Sequence, residues 1–276
     1  MHKSKLIVLL ILIITSVLAV STFGEKTNPQ HGVHILCYHG FDDSKSQYSF
    51  SMEEFENHIK TMKNAGINFL TTEEVLKNRY RGINNVLITL DDGKKSNYEA
   101  YHKIMKKYGV KPLLAIYPAI IGRMSYAMSW EQLKELDNAG CFVAVHGYNH
   151  MYVNQKLFDT DRKTFNREIY FAKRKLTESL DKEMDVYVYP FGVYSDITID
   201  HLKQAGYQYA FSIIARMMTQ NDLTVNRYEL PRYLMTKSNA KRIINKIISE
   251  SRDALNTPNS QNKEEPIVPK RAKKIS

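Results

Sequence analysis

The sequence predicts an α/β fold, a distorted (β/α)7–8 barrel. Three observations carry this expectation. Short apolar runs recur along the chain: VHILCYH, INFLT, NVLITL, PLLAIYP, CFVAVHG, DVYVYP and YAFSI. Segments with helix start and stop signals fall between most of them. Strands alternating with capped helices make parallel βα units, and seven in about 210 residues approach what a closed barrel needs. An open doubly wound sheet is the alternative. No G-x-G-x-x-G or P-loop follows any run, which counts against nucleotide binding.

The helices follow in order. Ser51 with Glu54 forms a capping box before EEFENHIKTMKNAG, and Gly66 supplies the stop. Thr71 with Glu74 repeats the box before EVLKNRY. YEAYHKIMKKYG ends at Gly109, and Ser129 with Gln132 opens WEQLKELDNAG, which ends at Gly140. DRKTFNREIYFAKRKLTESL is the longest candidate, and SDITIDHLKQAG ends at Gly206.

The termini differ from this pattern. Residues 1–24 place basic residues before an unbroken apolar stretch, Leu6 to Val20, and read as a signal peptide or N-terminal membrane anchor. Either places the protein outside the cytoplasm. Residues 25–32 read as a linker and 33–250 as one domain; 251–276 lack apolar periodicity and read as a disordered basic tail. The net charge of +10 favours acidic partners such as an anionic cell surface. With no arginine-rich run, zinc-finger or RNP signature, nucleic acid is not an expected partner. Cys37 and Cys141 sit in apolar runs and read as buried free thiols, with one disulfide as the alternative in an exported chain.

Barrel enzymes carry their catalytic groups at the C-terminal ends of strands. Four runs end in unusual polar residues: Tyr38-His39-Gly40, Asp91-Asp92-Gly93, His146-Gly147-Tyr148-Asn149-His150 and Tyr189-Pro190-Phe191-Gly192. His146 and His150 are spaced to converge on one point if the chain turns helically there. A carboxylate from Asp91 or Asp92 would complete a three-ligand metal site with an open position, the hydrolytic pattern. Because successive strand residues point opposite ways, one aspartate can ligate while the other accepts a proton. Taken alone, D-D-G is more simply a turn and helix cap, and H-x-x-x-H is a weak signal.

Together, TLDDG, HGYNH and YPFG make the chain resemble the polysaccharide deacetylases of carbohydrate esterase family four, the NodB-homology domain, over roughly residues 33–237. That family carries T-F-D-D-G, H-[ST]-x-x-H and R-x-P-[YF] motifs on a distorted β/α barrel. The resemblance implies that Asp91 is the catalytic base, that Asp92, His146 and His150 are metal ligands, and that the backbone N–H of Phe191 helps hold the oxyanion. It implies a divalent metal, zinc foremost, with cobalt or nickel as alternatives.

The chain departs from those motifs at Leu90, Gly147 and Val188. Leu90 is a conservative packing change. Gly147 lacks the hydroxyl that steadies the histidine loop, and Val188 stands where the base's partner arginine belongs. Cys37-Tyr38-His39 and Leu230-Pro231-Arg232 resemble a permuted subgroup that includes bacterial poly-N-acetylglucosamine deacetylases. There His39 matches the general acid, and Arg232 is expected to orient Asp91 in place of the missing arginine. Tyr189 and Trp130 join Phe191 as expected substrate contacts, and Tyr148 and Tyr194 are further groove candidates. The loops from Phe41 to Phe50 and Ala119 to Met128 are expected to shape the pocket.

The implied activity is metal-dependent removal of N-acetyl groups from an N-acetylhexosamine glycan such as poly-N-acetylglucosamine, peptidoglycan or a chitooligosaccharide. The rivals are an O-acetyl esterase or other amide hydrolase on the same barrel, and a non-catalytic glycan-binding protein.

Overall fold

A computed structural model describes residues 32–42, 44–80 and 84–256. The sheet is built on two buried central strands, β1 (Gly32–Tyr38) and β3 (Asn85–Leu90), paired in parallel from Val33↔Asn85 to Tyr38↔Leu90. From β3 the parallel sheet runs outward through β4 (Leu113–Ile116), β5 (Phe142–Val145), β6 (Val186–Val188) and β7 (Tyr209–Phe211). The expected second strand is short: β2 (Asn68–Phe69) pairs only the lower end of β3, because β4 takes the upper end.

Two strands were not foreseen. β8 (Met218–Thr219) runs antiparallel to the start of β1, and β9 (Tyr233–Leu234) runs parallel beside its end. The chain between them curls the sheet towards closure. Leu230 bridges Phe211, Ser212 N–H donates to the Leu230 carbonyl, and immediately after Arg232 the chain pairs with β1 through Tyr233 and Leu234. The result is a distorted barrel with a seam sealed by residues 227–234.

Strand alternation sorts the core into two clusters. Val33, Ile35, Leu87, Ala115, Ala144, Val186, Val188 and Phe211 pack together on the inner face. Leu36, Tyr38, Ile88, Leu114, Val145, Tyr187 and Tyr189 face the helix layer. That layer comprises α1 (Met52–Asn64), α2 (Thr72–Leu76), α3 (Lys95–Lys103), α4 (Trp130–Asn138), α5 (Gln155–Thr160), α6 (Arg162–Asn166), α7 (Ala172–Leu180), α8 (Asp196–Gln204) and α9 (Ala240–Asn256). The capping boxes of Ser51, Thr71 and Ser129 form with both of their hydrogen bonds. A π turn, Arg167–Phe171, joins α6 to α7 within the segment expected as one helix.

Two boundaries move. Gly32, expected in the linker, already pairs with Thr219, and α9 continues six residues past the expected domain end at 250. The signal or anchor segment, the rest of the linker and residues 257–276 lie outside the described residues. Both cysteines are buried and free, so the disulfide alternative does not form.

Candidate active site

The inner-face alternation continues past the core. Two residues beyond Ile35 comes Cys37, and two further His39; beyond Leu87 come Thr89 and Asp91, and beyond Ala144 comes His146. These side chains meet at the C-terminal end of the barrel. Of these, His39, Asp91 and His146 line a cleft of about 410 Å³, together with Tyr48, Asp92, His150, Phe191, Ile213 and Leu234. A hollow of about 450 Å³ between α8 and residues 224–229 lies apart from these groups and holds no comparable cluster.

Asp91 is buried and tied down on every side. Its N–H donates to the Tyr38 carbonyl, and its own carbonyl accepts from Asn97. Arg232 donates Nη1–H to Oδ1 at 2.8 Å and Nη2–H to Oδ2 at 3.0 Å. The same guanidinium reaches Thr89 Oγ1 and, through Nε, the Ser212 carbonyl. Cys37 Sγ donates to Asp91 Oδ2 at 3.3 Å. Burial pushes the Asp91 pKa up, but the Arg232 guanidinium, with His146 and His39 behind it, outweighs burial and holds the carboxyl well below the usual range. Burial raises the Cys37 thiol, so it stays a neutral donor.

Asp92 does not simply point to the opposite face of the strand. The chain leaves β3 through two left-handed residues, Asp92 at φ 77° and Gly93 at φ 72°. This swings the Asp92 carboxylate into the cleft. Its Oδ1 lies 3.6 Å from His150 Nε2 and 3.9 Å from His146 Nε2, while Oδ2 faces Lys94 Nζ at 3.4 Å.

The two histidines converge, but not through a helical turn. Gly147 (φ 72°) and His150 (φ 60°) are left-handed, and the loop between folds back on itself. The Nε2 atoms of His146 and His150 end 3.1 Å apart. A carbonyl only accepts, so His146 carries its proton on Nδ1, donated to Val188 O at 2.8 Å, and Nε2 is left as a ligand atom. Burial lowers the His146 pKa to about 4, with Asp91 opposing, and burial also lowers that of His150. Both rings are therefore neutral near pH 7.

Asp92, His146 and His150 offer ligand atoms within 4.8 Å of one another. A tetrahedral ion with bonds of about 2.0–2.1 Å spaces its ligands by about 3.3 Å, and the three separations here bracket that value. The donor set, two neutral imidazoles and one carboxylate on a cleft floor, fits a divalent ion. Cys37, His39 and Asp91 also cluster within that limit, but Arg232 already occupies the Asp91 carboxylate.

The aromatic expectations divide. Phe191 lines the cleft at φ 59°, edge-on to His150 and stacked on Tyr152 at 4.1 Å. Tyr189 does not reach the cleft: alternation along β6 turns it to the helix side, where it is fully buried and donates to the Tyr228 carbonyl. Tyr194 stacks on Tyr189, and Tyr148 packs against Phe171. Trp130 opens α4 beneath Gly122 and under Lys175, outside the cleft. The Phe41–Phe50 loop contributes Tyr48, whereas no residue of 119–128 lines the cleft. Tyr48, Ile213 and Leu234 come from loops or a two-residue strand and carry no pattern that would have marked them.

The family model described as polysaccharide deacetylase matches residues 78–210. The chain is 28% identical over 218 residues to a poly-beta-1,6-N-acetyl-D-glucosamine N-deacetylase of Staphylococcus aureus, covering 74% of each chain. Among solved structures it is similar to IcaB from Ammonifex degensii, with a TM-score of 0.71, 25% identity, and coverage of 79% of this chain and 97% of that one. The Streptococcus pyogenes deacetylase PplD, solved with acetate, shares the fold with a TM-score of 0.70 at 20% identity, over 79% of this chain and 99% of that one.

Proposed function

We propose that this chain, whose residues 78–210 match the polysaccharide deacetylase model, removes N-acetyl groups from an N-acetylhexosamine polysaccharide of the cell envelope or extracellular matrix. The observation that carries this reading is the floor of the cleft: a buried Asp91 clamped by Arg232 beside the convergent Asp92, His146 and His150. The likeness to the staphylococcal enzyme makes a poly-N-acetylglucosamine the first substrate to test, ahead of peptidoglycan and chitooligosaccharides.

The roles divide among this chain's own residues. Asp92, His146 and His150 would hold a divalent ion, and their mixed nitrogen and oxygen set suits zinc, with cobalt or nickel able to substitute. The ion, when bound, supplies Lewis acidity to the acetamide carbonyl and makes a water acidic enough to attack near neutral pH. Asp91 is placed to accept a proton from the attacking water, and Arg232 fixes which carboxylate face it presents. His39, on the same cleft wall, donates a proton to the departing amine as the C–N bond breaks. Water adds across that bond, giving acetate and a free amine on the sugar. Phe191 and Tyr48 offer aromatic surface to pyranose rings at the mouth.

The apolar segment from Leu6 to Val20 supports action outside the cytoplasm, and the net charge of +10 suits an anionic surface there. The test is acetate release from a β-1,6-linked N-acetylglucosamine oligomer with added zinc, cobalt or nickel, set against acetylated xylan. Release from xylan alone would favour the esterase. Binding without release from either would favour a glycan-binding protein.

A further inference from the structure

Glu168 is a fully buried carboxylate that the reaction does not use. It sits in the π turn, on the stripe that buries Phe165, Ile169, Ala172 and Leu176. Such a stripe is apolar by rule, and a charge there needs partners. Its partners are backbone N–H groups of the histidine loop. Oε2 accepts from Tyr148 at 2.9 Å, from Asn149 at 3.1 Å and from Met151 at 3.3 Å, and Oε1 accepts from Asn149 at 2.9 Å.

The π turn is itself supported. Its irregular pairing frees carbonyls, and two buried tyrosines answer them: Tyr207 donates to Ile169 O at 2.9 Å and Tyr187 to Glu168 O at 3.5 Å. Glycine at 147 completes the arrangement. A Cβ there would lie 2.5 Å from Glu168 Oε2, so any side chain displaces the carboxylate. The loop is therefore steadied by a carboxylate from the neighbouring helix rather than by a hydroxyl at 147.

We infer that Glu168 is a positioning residue for metal binding, holding the 147–151 loop in the left-handed path that brings His150 onto His146. The loop has neither helical nor sheet pairing of its own, and His150 carries its side chain at a left-handed φ of 60°, a backbone region that residues with a Cβ avoid. Freed of Glu168, the loop relaxes and His150 Nε2 leaves its position 3.1 Å from His146 Nε2. The inference rests on reading Asp92, His146 and His150 as the metal ligands.

The experiment is zinc titration of the full-length metal-free protein against a chelating dye, with melting temperatures of the free and zinc-loaded forms. Glu168→Ala should weaken zinc binding about 10–100-fold, the range seen when the partners of metal ligands are removed. It should also shrink the rise in melting temperature that zinc produces, and deacetylation should recover at saturating zinc. A purely structural residue would lower both melting temperatures together and leave the zinc increment intact, which overturns the inference. If Glu168→Ala does not fold, Glu168→Gln decides: it keeps the volume and one acceptor oxygen, and zinc affinity within twofold of the unaltered protein overturns the proposal. An unaltered protein that binds no divalent ion overturns the metal reading instead.

Discussion

Arg232 meets Asp91 with both terminal nitrogens, at 2.8 and 3.0 Å, and both side chains are buried. Planar two-point pairing of this kind fixes direction as well as charge. It also leaves each partner costly to remove.

Arg232→Ala should lower acetate release by about 100-fold or more, the scale of a positioned general base. The variant should also lose about 3–5 kcal/mol of stability, because Asp91 is left as an unpaired buried charge. Arg232→Lys keeps the charge without the fork and should fall between. Metal content by atomic absorption should stay at the level of the unaltered protein; unchanged activity in a folded Arg232→Ala would remove Arg232 from the mechanism.

His39 lines the same cleft as Asp92, His146 and His150, and its Nδ1 lies 3.9 Å from Cys37 Sγ. As donor to a poor leaving group, it should matter for an amide and hardly at all for an activated aryl acetate. His39→Gln should cut N-deacetylation about 10²–10⁴-fold while sparing aryl acetate hydrolysis. Equal losses on both substrates would contradict the role.

Chelation separates the ligands from the base. Dialysis against a strong chelator should abolish deacetylation and lower the melting temperature, and both should return with zinc. Asp92→Ala and His150→Ala should bind zinc weakly, whereas Asp91→Asn should bind it and still release no acetate. Zinc loss in Asp91→Asn would mean that the two aspartates do not divide the work.

Away from the cleft, His34 on β1 is buried beneath α9, 3.5 Å from Glu250, with Nδ1 lacking a protein partner. Burial lowers its pKa from 6.5 to about 4, against the opposing pull of Glu250. The folded state therefore binds fewer protons than the unfolded one between those values, and stability rises with pH across that window. The contribution is up to about 3 kcal/mol, present above pH 6.5 and lost as pH falls towards 4. His34→Phe should flatten the melting profile between pH 4 and 6.5; an unchanged slope would rule His34 out as its source.

Much of the site is legible in the sequence because it is an extension of strand alternation. Cys37, His39, Thr89, Asp91 and His146 lie on the face set by the inner core, so a period of two carries from packing into chemistry. The same rule explains Tyr189, which has the motif position but the wrong parity. Asp92 and His150 reach the cleft through left-handed backbone that no periodicity describes, although Gly93, next to Asp92, and Gly147, three residues before His150, are its usual markers. Glu168 was detectable in principle as a charge three residues after Phe165 and four before Ala172, on an otherwise apolar stripe. β8 and β9 are two residues each, too short for any pattern to form.

The sealed seam has a consequence for the order in which the parts of the site are made. Arg232 lies 141 residues after Asp91 and arrives only as the chain closes from β7 onto β1. During synthesis Asp91 is therefore made well before Arg232, the residue that pairs with it in the folded chain. A chain cut short before residue 232 would keep Asp91, Asp92, His146 and His150 but leave the Asp91 carboxylate without its guanidinium partner.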